Sequence, residues 1–231
     1  MNATSRAKRF LQLLTVAGFV TGPHAALFAE EEGRLHDAPR WEAWLALSTW
    51  PSLNELQPAA GGSFKQLGYG LGAAAHWPVG QFQHGELMLG VEGAVMATDS
   101  DVPVLLDDLL ARDGYLAVSA KWFFSEARNV SLDAGVAYHL VDIAQLDTDY
   151  NSSVEFESWE ETAAGLFLGT TWDVSGGRST NDGGLSLGLK VHFLDFGTVR
   201  DESVFVTPVL GPDAGDLDGP VYAFQIGYSW R

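Results

Sequence analysis

The chain has 231 residues, no cysteine, 26 glycines and a formal charge of −17, with 46% hydrophobic residues and a mean hydropathy of +0.03. Such acidity excludes a nucleic-acid binder, which needs a basic surface to neutralise phosphates; the apolar content excludes a disordered chain, and the missing cysteines exclude disulfide scaffolds, thiolate zinc sites and cysteine nucleophiles. No run of about 20 apolar residues follows the N-terminal region, so a polytopic helical membrane protein is excluded as well.

Arg6, Lys8 and Arg9 open the chain with positive charge. Phe10 to Val20 is apolar but for Gln12, Thr15 and Gly18, and small residues follow at Gly22, Ala25, Ala26 and Ala29. This three-part layout predicts a secretory signal peptide over 1–29, too short to span as an anchor, with cleavage after Ala29. Its removal takes three cations and no acid, leaving −20. A polar linker, 30–40, starts with Glu30, Glu31 and Glu32 and precedes a barrel over 41–231.

From Trp41 onward, eight stretches alternate with period two, the strand signal: 41–50, 64–77, 86–97, 115–124, 130–141, 163–174, 185–195 and 220–231. One face is apolar. It carries Leu67, Tyr69 and Leu71, Leu87, Leu89 and Val91, Val118 and Trp122, Leu132, Val136 and Tyr138, Leu166 and Leu168, Leu185 to Phe193 at odd positions, and Tyr222 to Trp230 at even ones. The opposite face carries Glu42, Gln66, Gly68, Gly70, Gly72, His76, Glu92, Lys121, Ser131, Asp133, Gly135, His139, Lys190 and His192. Eight strands enclose too little space for so many large apolar side chains. The apolar face must therefore point outward to lipid, with glycines and a few charges filling a narrow interior. The predicted fold is all-β: an eight-stranded antiparallel up-and-down transmembrane β-barrel.

The connections support that inversion. Those at 51–63, 98–114, 142–162 and 196–219 are long, and those at 78–85, 125–129 and 175–184 are shorter. Outer-membrane barrels have short periplasmic turns and long external loops. Trp77, Trp122, Trp172 and Trp230 each close an even-numbered strand and Trp41 opens the first, which places all five in an aromatic girdle at the periplasmic rim. A ten-stranded barrel, with one more hairpin inside 196–219, is the alternative count.

With these features the region 41–231 resembles the eight-stranded outer-membrane barrels of the OmpA–OmpX–OmpW type, by architecture rather than by one diagnostic motif. The C-terminal strand, Val221 to Arg231, looks like the aromatic-alternating signal read by barrel-assembly machinery, although an extra Arg231 follows the terminal aromatic Trp230. The resemblance implies an outer-membrane location and lipid and lipopolysaccharide as neighbours, for a monomer without a cofactor. It leaves function broad, since fold does not fix activity.

Inside the barrel, hairpin register sets Lys121 across from Asp133 and Tyr115 across from His139. It brings Glu92 near Gly72 and Lys190 near Gly169, and Arg231 should meet Glu42 where the last strand closes on the first. Glu42, Glu92, Lys121, Asp133, Lys190 and Arg231 are expected to form a structural interior network, because buried charges must be paired; a gated, porin-like polar pore is the alternative. No catalytic residue is expected. His76, His139 and His192 fall on the inward face and no His-x-Ser pattern exists, as a lipid A deacylase would need at the outward edge. Gly68-Tyr-Gly70-Leu-Gly72 alternates within a strand, so its glycines make room rather than bind a nucleotide.

The long connections are acidic. They carry Glu55, then Asp99, Asp101, Asp107, Asp108 and Asp113, then Asp147, Asp149, Glu155, Glu157, Glu160 and Glu161, then Asp201, Glu202, Asp213, Asp216 and Asp218. Solvated loops that repel anions explain them; Asp213, Asp216 and Asp218 are the best candidates for holding Ca²⁺ or Mg²⁺. Val104–Leu110 is expected to form a short amphipathic helix, and Ser203–Pro208 to extend a strand. The function expected is a small, non-enzymatic outer-membrane protein with a structural or surface-interaction role. The alternatives are a lipid-modifying enzyme (lipid A deacylase or acyltransferase-like) and a carrier of a small hydrophobic ligand.

Overall fold

A computed structural model describes residues 38–55, 63–64, 67–82, 85–101, 107–124, 129–147, 154–174, 183–196 and 217–230. The chain divides into two units, Met1–Ala38 and Pro39–Arg231. The segments expected to be a signal peptide and, but for its last residues, a linker fall outside the described residues, as do Gln66, the Ser203–Pro208 segment and Arg231.

The second unit is built from β1 (Arg40–Thr49), a 3-10 turn (Pro51–Glu55), β2 (Ser63–Phe64), β3 (Gly68–Phe82), β4 (Gly85–Asp101), β5 (Asp107–Phe123), β6 (Val130–Asp147), β7 (Val154–Asp173), β8 (Gly184–Leu194) and β9 (Gly219–Trp230). Each long strand pairs antiparallel with its chain neighbour, and β9 pairs with β1. The ladder therefore closes on itself with eight strands, and no edge is left through the barrel's girth. The two residues of β2 add to β4 above the end of β3.

Following paired residues from Trp44 through Gly72, Ala94, Tyr115, His139 and Ala163, and on through the β7–β8, β8–β9 and β9–β1 registers, leads back to β1 at position 54, a stagger of ten residues. With ~3.3 Å per residue along a strand and ~4.8 Å between strands, that shear corresponds to a strand tilt of roughly 40°.

The alternation sorts the side chains as the inversion requires. Leu45, Leu71, Val118, Val136, Leu166 and Leu168 are each more than half exposed on the outer face, while Glu92, Lys121, Asp133, His139 and Lys190 are buried inside. The outward apolar runs, such as 87–97, 130–140, 164–172, 185–193 and 222–230, span about nine to eleven residues, the length a tilted strand needs to cross a bilayer.

Several boundaries differ from the sequence expectation. Arg40 belongs to β1 rather than to the linker, and its side chain points inward. The connections expected at 98–114 and 142–162 are largely strand, because β4, β5, β6 and β7 continue their ladder beyond the apolar belt. Asp107–Leu110 lies in β5, paired with Ala144–Asp147, so no helix forms over those residues. Among the described residues the ladder there continues on at least one side of each strand, and polar residues are tolerated where a sheet stands in water.

Inward glycines face the largest interior side chains. A Cβ on Gly72 would lie 2.6 Å from the Trp44 indole, one on Gly169 would lie 2.8 Å from Lys190 Cγ, and one on Gly135 would overlap the Phe167 ring. Gly72→Val should therefore overpack the lumen and lower stability by about 1–3 kcal/mol, read as a lower unfolding midpoint in detergent. An unchanged midpoint would mean that Trp44 has room to move.

Candidate functional site

The interior is stacked in levels. At the short-turn end, Arg40 Nε donates to Glu42 Oε1 at 2.6 Å and Arg40 Nη2 to Asp173 Oδ1 at 2.6 Å. Lys121 Nζ donates to both Glu42 oxygens at 2.7 and 2.6 Å and lies 3.7 Å from Asp133. Asp133 also accepts from Ser131 Oγ at 2.8 Å and Thr171 Oγ1 at 2.7 Å. The Arg40 guanidinium sits 5.1 Å above the Phe123 ring. Glu42 thus holds two cations, one on its own strand and one from β5 across the lumen.

At mid-height, Lys190 on β8 donates to Glu92 on the opposite strand β4 at 2.5 Å, and Tyr115 Oη donates to the same oxygen at 3.1 Å. The Lys190 ammonium lies 5.1 Å from the Trp44 ring and 4.9 Å from the Phe167 ring, so aromatic faces surround it where the carboxylate does not. His76 Nε2 and Ser119 Oγ are 2.8 Å apart. Towards the long-hairpin end, His139 Nδ1 lies 3.0 Å from each Asp113 oxygen and His139 Nε2 lies 3.2 Å from His192 Nδ1.

Above the histidines the lumen turns apolar. Trp50, Leu53, Val141, Ile143, Leu194 and Leu217 are buried in one cluster, with Phe196 packed against it. The 3-10 turn is fastened over this cluster, since Ser52 Oγ donates to the Asp218 carbonyl at 2.5 Å and Trp50 Nε1 to the Leu217 carbonyl at 3.4 Å.

The structure places the expected residues as follows. Lys121 pairs in register with Asp133, Tyr115 with His139 and Lys190 with Gly169. Glu92 stands opposite Ala74 rather than Gly72. Arg231 lies outside the described residues, and the cations on Glu42 are Arg40 and Lys121. Asp113, expected in an acidic connection, is instead a buried interior residue of β5. Of the cation candidates, Asp218 accepts the Phe196 amide at 2.5 Å, while Asp213 and Asp216 lie outside the described residues. No cluster suited to a metal occurs among the described residues.

The five girdle tryptophans all point outward near the short turns: Trp41 pairs with Trp230, Trp77 with Leu89, Trp122 with Leu132 and Trp172 with Val130. At the other end, the apolar face stops at a line of charge. Arg112, Asp142 and Glu160 are register partners, and Arg112 is ion-paired to Asp142.

A closed, up-and-down ladder with an apolar exterior and a charged lumen decides the class. The chain has the architecture of the eight-stranded outer-membrane barrels of the OmpA/OmpX type. No family model and no curated protein matches it. Among solved structures, it is similar to Neisserial surface protein A over 83% of this chain and 96% of that one, at 12% identity and a TM-score of 0.43. It is similar to Ail, the attachment invasion locus protein of Yersinia pestis, over 85% and 100%, at 14% identity and a TM-score of 0.44. The N-terminal β-barrel domain of Pseudomonas aeruginosa OprF matches over 83% and 97%, at 11% identity and a TM-score of 0.29. These scores are low, and the barrel class stands on the closed ladder itself.

Proposed function

We propose that the chain is a non-enzymatic protein of the bacterial outer membrane that displays an acidic β-wall for surface interactions. One observation carries the reading: β4 to β7 run on past the apolar belt, while β8, β9 and β1 stop near it. The wall leaves the belt at the Arg112–Asp142–Glu160 line and carries Glu155, Glu157, Glu160 and Glu161 on β7. Among the described residues, Val154–Ala164 of β7 is hydrogen-bonded only on its β6 side, because the β8 pairing begins at Gly165. An extended segment of a basic partner suits such an edge, through main-chain hydrogen bonds and opposite charge.

Lipid and lipopolysaccharide surround the belt in this reading, and the tryptophan rim marks the periplasmic side. The histidines favour binding over catalysis. His76, His139 and His192 are buried in the lumen and hydrogen-bonded there, out of reach of a membrane lipid. The apolar cluster at the lumen's far end is filled by the protein's own side chains, which disfavours a hydrophobic-ligand carrier.

The test shortens the β4–β5 and β6–β7 hairpins to the Arg112–Asp142–Glu160 line. Cells carrying the shortened protein should lose attachment to a polylysine-coated surface while the barrel still folds. Equal attachment by both proteins would remove the surface-interaction reading.

A further inference from the structure

Asp113, His139 and His192 form a hydrogen-bonded chain from β5 through β6 to β8, across the top of β7. Ala163 and Gly165, small inward residues of β7, leave the space in which the two imidazoles meet. All three members are nearly or fully buried.

Chemistry assigns the protons. An ionised carboxylate only accepts hydrogen bonds, so His139 Nδ1 carries hydrogen towards Asp113. The Nε2 of a neutral His139 is then bare and accepts, so the hydrogen in the 3.2 Å contact belongs to His192 Nδ1. His192 Nε2 is left without hydrogen. The chain thus runs in one direction, with each ring in a single tautomer. Ring contacts hold both imidazoles in place: Tyr115 stacks on His139 at 5.1 Å, and Phe167 stacks on His192 at 5.0 Å.

We propose that this chain is a proton-sensitive latch that ties β8 to β5 and β6 at the long-hairpin end of the lumen. One added proton, on His192 Nε2, keeps both hydrogen bonds and balances the Asp113 charge. A second proton, on His139 Nε2, sets one N–H against another at 3.2 Å and breaks the tie to His192. Among the described residues, the polar and charged groups facing the latch are already engaged elsewhere. Asp113 and Tyr115 face it from β5, and the Tyr115 hydroxyl is committed to Glu92 of β4. Lys190, two positions along β8, is a cation and is committed to the same carboxylate. Phe167 faces it from β7 and is apolar. Acid should therefore break the side-chain tie between β8 and β5–β6, leaving the β7–β8 ladder and the Arg40–Glu42–Lys121 group at the other end in place.

The test uses the whole mature chain refolded in detergent micelles. Nitrogen-15 NMR at pH 7 should show His192 protonated at Nδ1 and bare at Nε2, the rarer tautomer; the opposite tautomer overturns the proposal. The temperature at which the folded gel band is lost should fall in the parent as pH is lowered through the histidine range, from about 7 to about 4. The fall should be smaller in His192→Gln, because an amide can either donate to His139 or accept from it and only the other buried titratable groups, His76 among them, still respond. An acid step of equal size in both proteins, or none in the parent, overturns the latch. If His192→Gln does not fold, the tautomer measurement decides alone.

Discussion

Replacing Glu42 with alanine is expected to cost about 3–5 kcal/mol of barrel stability, the scale for breaking a buried ion pair from one side. Glu42 accepts from Arg40 at 2.6 Å and from Lys121 at 2.7 and 2.6 Å, and all three are buried. Its loss leaves Arg40 with Asp173 and leaves Lys121 with Asp133 alone, at 3.7 Å. The check is urea unfolding in micelles followed by tryptophan fluorescence, with exposed Glu161→Gln as a control expected to change stability by less than about 0.5 kcal/mol. Adding Lys121→Met to Glu42→Ala should recover part of the loss, since it removes one of the stranded cations. A Glu42→Ala protein as stable as its parent would mean that water reaches this end of the lumen freely.

The second expected result concerns the outer face. Leu168 is 59% exposed on β7, between Ala134 and Val191 and well inside the apolar belt. In a water-soluble barrel, Leu168→Arg would be neutral or would improve solubility. In a bilayer it places a charge near the midplane, at a cost of about 2–4 kcal/mol. The same change at Thr162, at the outer edge of the belt on the same strand, should cost about 0–1 kcal/mol. Refolding yield and unfolding free energy in lipid vesicles read the difference. Equal behaviour of the two variants would remove the lipid-facing assignment.

Much of this fold is legible because period two is a local property. The inward or outward sense of Lys121, Asp133, Glu92 and Lys190 follows from alternation alone, and the Lys121–Asp133 pairing follows from one hairpin turn. Contacts across the lumen are not local. Whether Lys121 reaches Glu42, or Lys190 reaches Glu92, depends on the barrel's stagger, which is set by every turn and bulge around the ring.

The β3–β4 hairpin shows how small a feature matters. Its tight turn would pair even positions with odd ones, and a bulge between Pro78 and Gly80 restores the pairing of inward with inward that sets Glu92 opposite Ala74. Proline suits that place because it cannot donate to the ladder.

Arg40 is missed by sequence for another reason. It precedes the first outward aromatic, Trp41, and a run of polar residues leads into it, so composition assigns it to the linker. The signal was present in its spacing: it lies two residues before Glu42, on the same face of an extended strand. Asp113 is misassigned because strands that leave the membrane lose their apolar alternation, and a polar strand there looks like a loop. Its partner His139 already stood on the inward face, so continuing β5 by one pair beyond Tyr115 would have found it.

The central claim is that the apolar face of this closed barrel meets lipid. Heat-modifiable gel migration of the outer-membrane fraction tests it most directly. The protein is predicted to appear in that fraction and to migrate faster unheated than after boiling, as a barrel that resists detergent until heated. Recovery in the soluble periplasm, with one mobility before and after heating, would contradict the account.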